Sequence, residues 1–178
     1  MRVTPGTAPS TAWPALTPME PLTLVQTAEA CGRYRWVEQR LFEVTGAWAR
    51  SAVDGGAQLY LHRWSRIHGW HAELWAARRP RGTVIDDVGD APPPAGDPLR
   101  AAIDGLAERP ARPAPATAAL AELTGAVLPG LAASYREHLR RAGPVADGPV
   151  MRVLALALAD IEEEMAAGRT LAGWLDRP

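Results

Sequence analysis

Residues 61–75 read LHRWSRIHGWHAELW, and the spacing of their apolar members decides how the chain folds. Leu61, Trp64, Ile67, Leu74 and Trp75 recur at helical intervals, which mark one face of an α-helix rather than the alternation of a strand. His68 and His71 fall on the same stripe, one turn apart and bracketed by Trp64 and Trp75. The helix therefore turns two imidazoles toward a side that is otherwise apolar, and a polar residue on such a face is more informative than another leucine. The pattern predicts a helix over residues 56–79, ended by Pro80.

The same period extends to both sides. Tyr34, Val37, Leu41, Val44 and Trp48 predict a helix over residues 22–50. Downstream, residues 80–98 read as a long loop centred on Pro92, Pro93 and Pro94, in which Thr83, Val84 and Ile85 suggest a short extended piece. A short helix is expected over residues 98–108, then a stiff connector over 109–116. Leu120, Leu123, Val127, Leu128, Leu131 and Tyr135 predict a third long helix over residues 117–141, kinked at Pro129 because proline removes a backbone donor. A fourth is expected over residues 147–167, with Asp147 as N-cap, Gly168 as its stop and one last turn over 170–176. Residues 1–21, interrupted by proline throughout, read as a disordered or loosely docked lead-in to a single domain over 22–178. The fold class is all-α, an antiparallel four-helix bundle with a long crossover between helices two and three.

Each long helix carries a polar side chain on or beside its inner face. Glu38 lies on the stripe of helix one, His68 and His71 on helix two, Tyr135 and His138 on helix three. On helix four, Leu154, Leu158, Ile161 and Met165 form the seam, and Asp160 and Glu164 flank it. Buried carboxylates and imidazoles are costly unless paired or metal-bound, so these groups either hold a metal or satisfy one another. Glu38 has a histidine or Arg152 as its expected structural partner. His138 stands near a helix C-terminus, where the dipole favours a cation. Tyr135 is read either as a donor to a ligand or as a core tyrosine, and the tryptophans as core, interface or the lining of an aromatic substrate pocket.

Glu38 on helix one, the long crossover, and the inward histidines and acids on the other helices together resemble the ferritin-like superfamily of diiron-carboxylate bundles. Departures are His68-x-x-His71 on helix two in place of Glu-x-x-His, and no histidine among Asp160, Ile161, Glu162, Glu163 and Glu164 on helix four. The resemblance implies a small-molecule enzyme, an iron-dependent oxidase or oxygenase in a biosynthetic pathway. Its metal candidates are Glu38, His68, His71, His138, Asp160 and Glu164, and its catalytic candidates Glu38, His68, His71 and Tyr135. The cofactor would be iron, mononuclear or dinuclear, or none. Two alternatives stand beside it: a metal-independent enzyme with His68 or His71 as general base oriented by Glu38, and a non-catalytic bundle serving as a binding or scaffold protein.

Composition excludes much else. The 19 basic residues are all arginine, against 20 acidic residues, and alanine fills 34 positions. The absence of lysine and asparagine fits a GC-rich bacterial genome, and it removes Schiff-base chemistry and the phosphate-loop lysine. A net charge of −1 leaves no basic footprint for nucleic acid or a membrane surface. The lone Cys31 excludes a disulfide framework and has no activating context. The expected setting is cytoplasmic, with a small-molecule substrate and a homodimer through Trp36 and Trp70 as one option.

Overall fold

The computed structural model describes residues 20–83, 85–109 and 117–177. Its elements are α1 (Leu24–Ala49), α2 (Gly55–Arg78), α3 (Pro98–Glu108), α4 (Thr117–Glu122), α5 (Leu128–Arg141) and α6 (Gly148–Leu175), with a π-helical turn, Leu123–Val127, joining α4 to α5. The described residues are helical with no strand, as the sequence periodicity predicts. Residues 1–19 of the expected lead-in, Val84, and 110–116 of the expected connector lie outside the described residues.

Helix starts follow side-chain capping. Thr23 and Gln26 form a reciprocal capping box, which places the start of α1 at Leu24 rather than at residue 22. Asp54 caps α2 through the Ala57 amide at 2.8 Å, and Asp97 caps α3 through the Leu99 amide at 2.8 Å. Asp147 stands at the N-cap of α6 as expected, but its carboxylate turns back to accept the Gly143 amide at 2.7 Å. The loop also differs from expectation around Ile85: amide bonds from Ile85 to Gly82 and from Val88 to Ile85 close successive turns instead of an extended piece. The loop is strapped down where Asp90 pairs with Arg35 of α1 and with Arg79, at 2.7 Å from the latter. At Gly32 a Cβ would sit 2.5 Å from the Gly89 carbonyl, so only glycine lets the loop approach α1 there.

α1 and α2 pack as an antiparallel hairpin, with Gly46 against Ser65, Phe42 against Gly69 and Glu38 against His71. α6 runs antiparallel to α2, for Tyr60 meets Glu164 and Gly168 while His71 meets Asp160. Thr124 packs on Gly168 at one end and Tyr135 meets Trp75 at the other, so α4 and α5 run parallel to α2. A parallel return requires the α2–α4 connection to travel the length of the helices, and α3 lies within it, packed on α1 and on the π turn. Trp48, Trp64, Trp75, Tyr135 and a set of leucines fill the centre.

Two helix details take forms that the sequence pattern does not specify. The irregularity expected at Pro129 is a π-helical turn, Leu123–Val127, just ahead of the proline. The Leu128 amide reaches back five residues to the Leu123 carbonyl, and this widened turn accommodates the missing proline donor. Gly168 is not a stop, because α6 continues through it to Leu175. The glycine is a contact point: a Cβ there would lie 2.5 Å from Thr124 Cγ2 and 2.6 Å from the Tyr60 hydroxyl. A glycine at an open helical site would tolerate alanine, whose helix propensity is better by about 1 kcal/mol. Here Gly168→Ala is expected to destabilise the fold by about 1–3 kcal/mol through overpacking, read as a lower urea midpoint at unchanged slope.

Candidate metal centre

Glu38 is fully buried near the middle of α1, and three donors from two other helices surround it. Its Oε1 accepts the Tyr135 hydroxyl of α5 at 2.6 Å and lies 3.2 Å from His71 Nδ1, while its Oε2 lies 2.5 Å from His68 Nδ1. The one-turn spacing of His68 and His71 sets both rings on the face of α2 that meets α1, so one carboxylate bridges both. Trp75, one turn further on, donates its indole N–H to the Tyr135 oxygen at 3.0 Å. One donor atom from each of Glu38, His68 and His71 lies within 4.8 Å of the others.

The far nitrogens of both rings face α6. His71 Nε2 is 3.0 Å from Asp160 Oδ2, and His68 Nε2 is 3.1 Å from Glu164 Oε2. The second contact is an ion-pair distance without hydrogen-bond alignment. Among the described residues it leaves His68 Nε2 and both Glu164 carboxylate oxygens without an aligned hydrogen bond, although the two groups remain paired by charge. Glu164 is fully buried, on a face of α6 shared with Val153, Ala157, Ile161 and Gly168, rather than beside it as the seam of leucines suggested. Asp160 keeps 28% of its side chain accessible, which makes it the solvent-facing member of the group. Trp70 lies against its outer side, 5.6 Å from the His71 ring.

Electrostatics tie these groups together. Burial pushes the Glu38 carboxyl up, but the His68 charge and the bonds from both imidazoles outweigh it and hold it near 2. Burial pulls the His68 imidazolium down, yet the Glu164 and Glu38 carboxylates overcome it and lift it to about 10. His71 is raised in the same sense, with burial opposed by Glu38 and Asp160. Burial and the neighbouring Glu38 push the Tyr135 phenol well up, so it stays a neutral donor.

Of the residues the sequence singles out, Glu38, His68, His71, Tyr135, Asp160 and Glu164 come together. His138 does not: it sits at the end of α5 beside Tyr34, at a ring distance of 5.8 Å, and has no contact with Glu38. Nor does it become the cation that the helix end favours, because burial holds its imidazole below the ordinary value. Arg152 is exposed and takes no part in holding Glu38, which the histidines do instead. The buried tryptophans 48, 64 and 75 are core. Cys31 is buried, and burial pushes its thiol up to about 12, which fits an inert residue. Sequence reading passed over Tyr60, whose hydroxyl donates to the Glu164 carbonyl at 3.3 Å. The spacing 60, 64, 68, 71, 75 would have put it on the same stripe.

Among known proteins, no family model, curated protein or solved structure matches this chain.

Two predictions test that geometry. Tyr135→Phe removes a donor from buried Glu38 and the acceptor of Trp75, and should cost about 1–3 kcal/mol by urea denaturation. The second is a pH dependence of the metal-free protein. The Glu38 carboxyl is lowered from 4.5 on folding, so its contribution is present above 4.5 and is lost as pH falls toward about 2. The His68 value is raised from 6.5, so its contribution is fully present below 6.5 and is lost as pH rises toward about 10. Thermal midpoints should accordingly fall on the alkaline side above pH 6.5, and His68→Gln should flatten that arm. A wild-type midpoint that stays level across it would contradict the assigned pairing.

Proposed function

We propose that the chain is a ferritin-like antiparallel four-helix bundle, α1, α2, α4–α5 and α6, whose core binds iron and oxidises a small molecule. The observation that carries the reading is the incompleteness of the buried cluster. Glu164 and His68 Nε2 sit at full burial 3.1 Å apart, paired by charge but without a hydrogen bond among the described residues, next to the grouped donors of Glu38, His68 and His71. Buried polar atoms with unused hydrogen-bonding capacity are costly, and a metal cation in place of the imidazolium proton would use that capacity. Mixed imidazole and carboxylate donors suit iron or manganese better than a structural zinc site. A divalent ion that displaces the protons of two imidazoles also leaves the net charge of the cluster unchanged, so such an exchange meets no charge penalty.

In this reading Glu38, His68, His71 and Glu164 hold the metal, with Asp160 on the solvent side. Bound iron would supply dioxygen-dependent oxidation there. The surrounding residues have their own tasks. Tyr135, fixed by Trp75, donates its hydroxyl hydrogen bond to Glu38 Oε1 and sets the carboxylate plane. Trp64 and Trp75 keep water from the inner side. Protein purified without chelator should carry about one metal ion or more per chain, and Glu38→Ala and His68→Ala should lose it. Wild-type protein that neither arrives with metal nor retains ferrous or manganous ion after anaerobic loading and desalting would sink the reading.

A second reading has its own observation. Glu38 is fully satisfied by Tyr135, His68 and His71, and His71 by Glu38 and Asp160. Most of the network thus closes without metal, as a non-catalytic scaffold would need. Joint replacement of Glu38 and His68 by apolar residues would then raise stability, whereas a metal-binding core would lose its ion.

A further inference from the structure

A second polar feature lies on the opposite side of the aromatic wall from the metal centre. Tyr34 packs edge-on to Tyr135 at 4.7 Å and against Trp75 at 4.9 Å, and its hydroxyl donates to the Ser134 carbonyl at 3.2 Å. Beyond Tyr34 is a cavity of about 210 Å³ between α1, α5 and the start of α3. His138 lines it at 3% exposure, and neither of its ring nitrogens has a partner among the described residues. A buried imidazole with both nitrogens free is costly, and it lies at a cavity large enough to hold what would satisfy it.

The rest of the lining states the chemistry of the occupant. Arg33 of α1 and Arg141 of α5 both line the cavity. Among the described residues Arg33 has a loose 3.9 Å pairing with Glu29, and Arg141 donates through its Nε to the Glu20 carbonyl, which leaves its terminal nitrogens to donate elsewhere. The acidic lining residues are engaged: Glu137 pairs with Arg140, and Asp97 caps α3. Apart from Ser134, the remaining lining is largely apolar, with Tyr34, Val37 and Leu99 among it. Guanidinium forks match a planar carboxylate, and aromatic and aliphatic walls match a flat apolar body.

We infer that this cavity is a binding site for a small organic carboxylate with an aromatic or branched apolar body. The carboxylate would meet Arg33 and Arg141, and His138 would hydrogen-bond it from within. The inference does not depend on the metal reading, since none of these residues belongs to the cluster around Glu38.

Calorimetric titration of the metal-free full chain tests it, with benzoate as probe, benzyl alcohol as its uncharged counterpart and inorganic phosphate as a bare anion. Benzoate should bind saturably, and benzyl alcohol and phosphate should each bind about tenfold more weakly or worse. Arg141→Gln and His138→Leu should each weaken benzoate about tenfold, with circular dichroism confirming the helical fold. Arg33→Gln, at a half-exposed position, provides the same test if either of those variants fails to fold. Absence of saturable benzoate binding up to about 10 mM, equal binding of benzyl alcohol, tighter binding of phosphate, or indifference to these substitutions would overturn the inference.

Discussion

Everything near the centre of this molecule depends on keeping one carboxylate, that of Glu38, out of water. A buried carboxylate without partners would cost many kcal/mol or take up a proton. The protein offsets that cost with Tyr135, His68 and His71, and this requirement places three helices relative to one another. The hairpin of α1 and α2 must bring two imidazoles to one carboxylate, and α5 must present a tyrosine to the same atom. Trp75 then fixes the tyrosine, which locks the aromatic centre to the polar one.

The fourth side of the cluster is treated differently. α6 contributes Asp160, which closes the His71 pairing at a partly exposed position, and Glu164, which is buried and stands at ion-pair distance, 3.1 Å, from His68. Both imidazoles thus meet a carboxylate of α6, one hydrogen-bonded and one paired by charge without hydrogen-bond alignment. Removing Glu164 alone would leave the His68 cation with one carboxylate fewer, a costly change at full burial. The unused hydrogen-bonding capacity of Glu164 is what distinguishes this cluster from a fully closed buried network. Gly168, one turn further along α6, lets Tyr60 and Thr124 press against that helix and hold Glu164 inside.

Tyr34, Tyr135 and Trp75 form a wall with a different chemistry on each side. One side carries the carboxylates of Glu38, Asp160 and Glu164 with two imidazoles, and the other carries Arg33, Arg141 and His138 beside Asp97 and Glu137. The aromatic layer between them keeps the two sets of groups apart in a medium of low polarity.

The helical class was legible in residues 61–75, because a 3.6-residue period in apolar residues leaves a strand no consistent face to bury. The inward direction of Glu38, His68 and His71 followed from the same period, and the short helix over residues 98–108 from its own local pattern. Angular position about a helix is known from sequence only to within a residue or so, which is why Glu164 was placed beside the seam of α6 and not on its buried face. Local rules also misread Gly168, which serves a contact between three helices, while the irregularity expected at Pro129 takes the form of a widened turn. His138 shares the inward stripe of its helix, yet lies too far along α5 to reach the cluster, and only the axial offset between helices determines that. By itself, then, the sequence determined which residues face inward, because periodicity is a property of a single helix. The tertiary structure decided which of them meet, because that depends on the relative height and rotation of helices whose contacts are made across long separations in the chain.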